Sequence, residues 1–347
     1  MGRGDQRGFF PPNPDDDWVA RPMTAYIIRR LLYAIPILIG VNLITFLLFF
    51  VVNSPDDMAR MQLGVKRVTP AAIESWKQER GYDRPLLFNH QAKGLDKITD
   101  TIFFAKSVRL FAFDFGASDS GRDIGFDISQ RMWPSLAIAV PVLLVGLLVN
   151  ISLALFIVFF RATYIDYASV VLLVAMMSAS GLFYIIGGQY LLSKLFHLVP
   201  ISGYDTGPAA WRFLILPVII GVIGGIGTGT RWYRTLFLEE IGKDYVRTAR
   251  AKGLSERLVL FRHVLRNALI PILTGVVVVL PLLFMGSLIT ESFFGIPGLG
   301  SYTIDAINNQ DFAIVRAMVF LGSVLYILGL LLTDIAYTLV DPRVRLD

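Results

Sequence analysis

Residues 231–266 read RWYRTLFLEEIGKDYVRTARAKGLSERLVLFRHVLR, and both flanks are apolar. Arg231 and Arg266 bound the stretch, and Arg234, Lys243, Arg247, Arg250, Lys252, Arg257 and Arg262 lie inside it. So many cations do not enter hydrocarbon, so the runs on either side, Phe213 to about Thr230 and Ala268–Thr290, are separate membrane crossings joined on one side of the bilayer. Working outward, Tyr26–Val52, Ser135–Phe160, Tyr167–Phe196 and Ala313–Val340 are apolar runs of similar kind. Each spans ~30 Å of hydrocarbon at ~1.5 Å per helical residue. The expectation is an all-α integral membrane protein with six spans.

The basic stretch also orients them. The short 161–166 turn carries Arg161, whereas 198–211 and 292–312 contain neither Lys nor Arg. By the positive-inside rule, residues 231–266 are a cytoplasmic loop and both termini are cytoplasmic. Four regions follow. Residues 1–22, rich in Gly, Pro and Asp, are a flexible cytoplasmic leader. Residues 23–52 are a retained first span, too long in its apolar run for a cleaved signal. Residues 53–133, polar and of mixed charge with helix-compatible pieces such as Pro70–Trp76, are one long extracytoplasmic loop. Residues 134–347 are the membrane core.

Composition agrees with this reading and closes other routes. Hydrophobic residues are 54% of the chain and charged residues 17%, with a mean hydropathy of +0.60, a balance no soluble domain keeps. The chain has no cysteine and three scattered histidines, which removes disulfides, thiol catalysis and a zinc cluster. Its formal charge of +5 comes largely from cations flanking apolar runs, where they meet anionic lipid; no nucleic-acid partner is expected. No GxxxxGK[ST] phosphate loop occurs, and no nucleophilic or paired-carboxylate set, so the chain is expected to be non-catalytic. Within the spans, Lys194, Glu291 and Asp334 fall towards ends that reach the interface. An ion-coupled carrier, which keeps a carboxylate near the midplane, is correspondingly disfavoured.

Ser180, Tyr184, Gln189 and Glu291 are candidates to line a translocation path, since polar groups in apolar spans face a cavity or bond a neighbouring helix. Gly221, Gly225 and Gly229 recur every fourth residue and form a groove for close helix packing. In the basic stretch, Asp244–Lys252 is helix-compatible, Gly253 is a stop, and Ser255 with Glu256 can open a second short helix. Tyr245, Val246 and Ala249 share a face able to enter a partner's groove, ringed by Arg247, Arg250 and Lys252. Contact with lipid headgroups fits the same pattern.

DYVRTARAKGLSERLVLFRHVLRNALIP, residues 244–271, resembles the coupling-loop signature of peptide-type ABC importer permeases. The broad importer pattern has Glu-Ala-Ala where this chain has Arg247, Thr248 and Ala249, a departure similar to the peptide/nickel branch. Further likeness lies in Gly81-Tyr-Asp-Arg-Pro-Leu, Phe113-Asp-Phe-Gly116, Val199–Tyr204, Glu291–Gly300 and Leu339–Arg343, covering most of the chain beyond the leader. The resemblance implies a bacterial inner-membrane importer of di- or oligopeptides, with nickel chelates, haem or peptide-like antibiotics as alternatives within the family. It also implies a second permease subunit forming a heterodimer, two cytoplasmic ATPases, and an extracytoplasmic substrate-binding protein. ATP and Mg would then sit on the ATPases, with no cofactor in this chain. Asp244, Tyr245, Val246, Arg247, Thr248, Ala249, Arg250, Ala251, Lys252 and Gly253 would be the ATPase-coupling loop.

Overall fold

The computed structural model describes residues 23–64 and 68–340; the expected leader and the end of the 339–343 match lie outside them. Among the described residues the chain is helical, with one isolated bridge pairing Ala117 with Asp123. Five helical stretches are long and apolar enough to cross a membrane: Ile27–Val52, Ile124–Phe159, Trp211–Ile241, Glu256–Met285 and Phe312–Ala336. A sixth crossing is formed only if Tyr164–Ser178 and Gly181–Leu195, bent by 89°, count as one.

The first span, α1 (Met23–Leu47), continues in a wider helical turn to Val52. The polar segment after it folds into short helices. α2 (Pro55–Leu63) begins in a reciprocal capping box between Ser54 and Asp57, and α3 (Pro70–Arg80) begins on Thr69 and stops at Gly81, whose φ is 66°. Each has proline in its first turn, where no backbone N–H is lost to the helix. α4 (Asp96–Thr99) and α5 (Ile102–Lys106) follow. Met58, Ile73, Trp76, Tyr82 and Ile102 close on Phe46 and Phe50, so this cap is seated on the far end of α1.

α6 (Ile124–Phe159) starts on Asp123, whose carboxylate accepts from Phe126 N at 2.6 Å. The helix therefore begins nine residues before the expected end of the polar loop at 133, because an acidic N-cap, not the onset of hydrophobicity, opens it. α7 (Tyr164–Ser178) and α8 (Gly181–Gly188) replace the expected continuous span 167–196. Ala179 is extended and Ser180 caps the new helix, so the backbone turns there.

α9 (Trp211–Ile241) is longer than the expected 213–230 run and pairs extensively with α6. Gly221 and Gly229 explain the closeness: a Cβ would stand 2.9 Å from Val142 and 2.6 Å from Asn150. Gly225 faces open space, whereas Gly227 is pressed on α7, so the small-residue contact is split between two neighbours.

α10 (Asp244–Ala251) is short. α11 (Glu256–Leu258), a wide-turn segment Val259–Val264 and α12 (Leu265–Val279) form one continuous span that ends at Met285. The expected fifth span, 268–290, is thus displaced towards the N-terminus, and Gly286 (φ 67°) breaks the chain before α13 (Leu288–Phe294). α14 (Leu299–Asn308) and α15 (Phe312–Val340) complete the fold. Ile124 and Ile128 of α6 pack with Tyr302, Ala306 and Ile314 at one end, while Ala154, Leu155 and Val158 pack with Phe237 and Val259 at the other. Near that second end, Arg30 of α1 pairs with Asp334 of α15 at 2.6 Å.

Candidate functional site

The connector between the fourth and fifth crossings has shrunk from the expected 231–266 to Gly242–Ser255, because both flanking helices run on past the hydrophobic region. Lys243 is extended and opens α10; Gly253, at φ 77°, turns the chain into α11. The connector therefore holds one short helix rather than two. Ser255 precedes the next helix without a side-chain capping bond, and that helix is the start of the fifth span itself.

The two faces of α10 are the reverse of the expected arrangement. Val246 is fully buried and Ala249 is 4% exposed, both within this chain's own cluster of Phe237, Ile241, Val259, Leu260 and Val264. Tyr245 packs on the same cluster and donates its hydroxyl to Glu240, which also holds Lys243. Burial and that carboxylate push the tyrosine hydroxyl up to about 12, so it stays a donor at neutral pH. Hydrophobic spacing identified one face of a helix, yet it cannot say whose core that face enters.

The outward face is polar. Asp244, Arg247, Thr248, Ala251, Lys252 and Gly253 are exposed, with side chains 96% exposed at Asp244 and 74% at Arg247. Arg250 leaves this face and grips Glu256 with two bonds, 3.0 and 2.5 Å, clamping α10 to the start of the fifth span. A second clamp lies nearby. Arg234 on α9 donates to Asp166 on α7 at 3.1 and 2.7 Å, and Asp166 also accepts from Ala162 N at 3.0 Å. α10 is thus a rigid knob fixed to α9 and α11, and α9 is strapped to α7.

Ser180, Tyr184 and Gln189 lie along the second half of the broken third crossing, do not bond one another, and each bonds within this chain. Ser180 accepts from Leu182 N at 3.3 Å, Tyr184 donates to Met176 O at 2.7 Å, and Gln189 donates to Ile201 O and Phe293 O at 3.0 and 3.2 Å. They brace the bend and tie it to α13.

Glu291 does not reach an interface or stand in an apolar span. It is 1% exposed, in the turn system between the last two crossings. Its carboxylate accepts from Ser287 N at 3.1 Å and Ser301 N at 3.0 Å, while Ser135 Oγ, on α6, accepts from Leu299 N at 2.8 Å. Burial raises the Glu291 carboxyl above its ordinary value, against the opposing pull of these hydrogen bonds. Gly286 and Gly298 make room for it: a Cβ on either would stand 1.9 or 2.3 Å from the carboxylate oxygens.

Sequence reasoning missed Arg316, one turn inside α15. It is 4% exposed, donates to Phe312 O at 3.2 Å and lies over the Phe50 ring at 4.7 Å. Nearby, Asp311 accepts from Asp119 N at 2.8 Å, and Asp119 holds Arg80 at 3.1 Å, so the mouth of α15 carries the ionic seam of the cap. The signal was available: a cation four residues into an apolar run is a request for burial or a partner.

Residues 153–346 match the family model described as binding-protein-dependent transport system inner membrane component, and residues 23–109 match the N-terminal model of the same kind of protein. A protein of Sinorhizobium fredii named probable peptide ABC transporter permease is 32% identical over 337 residues, covering 93% of this chain and 100% of that protein. The glutathione transport system permease of Shigella flexneri is 30% identical, covering 93% and 99%. The oligopeptide transport system permease of Bacillus subtilis is 28% identical, covering 93% and 100%.

Proposed function

The chain belongs to the binding-protein-dependent transport system inner membrane component family, and on that footing we propose that it is one permease subunit of an ATP-driven peptide importer. The observation that carries the mechanism is the two-sidedness of α10: a buried apolar face fixed to two crossings, and an exposed polar face with nothing of this chain upon it. An ATPase pair seated on Asp244, Arg247, Thr248 and Ala251 would push a knob that cannot tilt independently of α9 and α11. Movement passes as rigid-body displacement through Val246 and Ala249 into both spans, and through Arg234–Asp166 into the bent third crossing. The energy comes from ATP on the partner subunits, and this chain is a non-catalytic path and lever.

Under this reading the α10 end is cytoplasmic, both termini share that side, and the cap of residues 53–123 is extracytoplasmic, where a substrate-binding protein delivers cargo. The absence of Lys and Arg from 198–211 and 292–312 supports the orientation. The expected second permease is a similar, non-identical chain.

Reconstitution with candidate ATPases, second permease and binding protein tests the reading. ATPase activity should rise with the loaded binding protein across a panel of di-, tri- and longer peptides. Response to nickel chelates or haem alone would transfer the assignment to those cargoes, and uptake by this chain by itself without ATP would refute it.

A further inference from the structure

At the α10 end of the molecule a cavity of about 380 Å³ lies between α6 and the start of the fifth span. Ser152, Leu155, Phe156 and Phe159 follow one another at helical spacing along the α6 side, and Leu260 and Phe261 face them. From Ser152 to Phe159 the groove runs about 10 Å parallel to the helix axis, along the direction a lipid chain takes in a bilayer. Its aromatic rings are left open, with Phe156 51% and Phe261 62% exposed.

The rim of this groove is cationic. Arg257 lines it, and Arg161 follows directly on Phe160, another lining residue. Three other basic residues at this end are neutralised: Arg234 by Asp166, Lys243 by Glu240, Arg250 by Glu256. Among the described residues Arg161 and Arg257 have no ion-pair partner. Glu256, whose carboxylate feels Arg161, is already held by both arms of Arg250. An apolar slot normal to the membrane, topped by two uncommitted guanidinium groups, suits one kind of occupant.

We propose that this groove binds an anionic phospholipid of the cytoplasmic leaflet, one acyl chain lying along Ser152–Phe159 and the headgroup phosphate between Arg161 and Arg257. The site rests on the orientation proposed above, but not on the identity of the cargo. Lipid so placed fills the space beside the α10 clamp and stiffens the junction of α6 with the fifth span.

The test uses the assembled transporter, purified in mild detergent and offered phosphatidylglycerol or phosphatidylcholine at equal concentration. Native mass spectrometry should show phosphatidylglycerol retained in preference. Arg161→Gln and Arg257→Gln should each weaken that retention about fivefold, the size of one interfacial cation's attraction to an anionic surface. Ser152→Trp, which blocks the slot but keeps both arginines, should reduce retention of both lipids. A photoreactive benzoylphenylalanine at Phe159 should yield lipid adducts. Equal retention of the two lipids, no loss in the arginine variants, or adducts solely with another subunit would overturn the site. Because lipid is counted without transport, failure here leaves the importer reading standing, and failure of uptake leaves the lipid site standing.

Discussion

Substitutions on opposite faces of α10 should separate folding from coupling. Val246 has no exposed surface, so Val246→Ala removes two carbons from a filled site. At ~0.8 kcal/mol per buried carbon plus a cavity term, it costs roughly 2–3 kcal/mol. Ala249→Asp is harsher, because it places a carboxylate among Phe237, Val259 and Val264 with no partner; the cost is about 3–5 kcal/mol. On the outer face, Arg247 holds Asp244 at only 3.5 Å with both side chains largely in solvent, and Arg247→Glu changes stability by a few tenths of a kcal/mol at most. Ala251→Trp is equally neutral for the isolated chain. The assay pairs thermal denaturation of the purified chain with capture of the ATPase subunits. The inner variants should melt early. The outer variants should melt with the parent and bind ATPase at least 10-fold more weakly, as loss of ~1.4 kcal/mol at a docking surface requires. An Ala249→Asp chain that melts like the parent would refute the inward assignment of this face. Outer variants that capture ATPase normally would refute the docking surface.

Three other expectations concern braces, one beside this lever and two at the Glu291 turn. Arg234→Ala leaves Asp166 buried and unpaired and should destabilise the chain by about 3 kcal/mol, with Asp166→Asn restoring part of the loss, both read by chemical denaturation. Gly298→Ala forces a methyl against the Glu291 carboxylate, 2.3 Å away, and against Ser135 Oγ at 2.5 Å, and should lower yield of folded protein sharply; Glu291→Ala in the same chain should relieve part of the loss in a double-mutant measurement. For Glu291 itself, burial raises the folded-state pKa, so the folded chain keeps a proton that the unfolded chain has lost. This contribution to stability falls as pH rises upward from the ordinary value of 4.5, and Glu291→Gln should flatten that slope in melting curves taken across the acid range.

Much of the fold was legible from hydrophobic runs and cation placement, since hydrocarbon imposes its rules locally: a run is long enough or it is not. Helix ends were not legible to the same degree. Asp123 opens α6 twelve residues ahead of the apolar run that begins at Ser135, and α9 continues to Ile241 through polar residues that its hydropathy alone would have ended. The bend at Ala179–Ser180 was hidden because both halves are equally apolar, and only the Ser-Gly pair marked it. The α10 knob was found by its residues and its Gly253 stop, but its faces were assigned the wrong way round. A stripe of Val and Ala records that burial occurs, whereas the burying partner, here the extensions of α9 and α11, exists only once those helices are known to continue. Glu291 was misjudged because backbone N–H groups of the neighbouring turns, not a charged partner, hold its carboxylate, and Arg316 was missed because the ring it lies over, Phe50, is far along the chain.

The pair between Arg30 and Asp334 joins residues 304 positions apart. Its consequence is closure of the chain. The carboxylate of Asp334 is only 19% exposed, in α15, the last described helix, and a largely buried charge in an apolar helix calls for a counter-charge. Arg30 lies early in α1, so it is made 304 residues before the carboxylate it meets. The pair therefore forms only after α15 has come to lie against α1, and the two helices pack on one another. An ion pair that ties α1 to α15 closes the chain on itself, so the helix bundle is sealed by the two described spans farthest apart in the sequence.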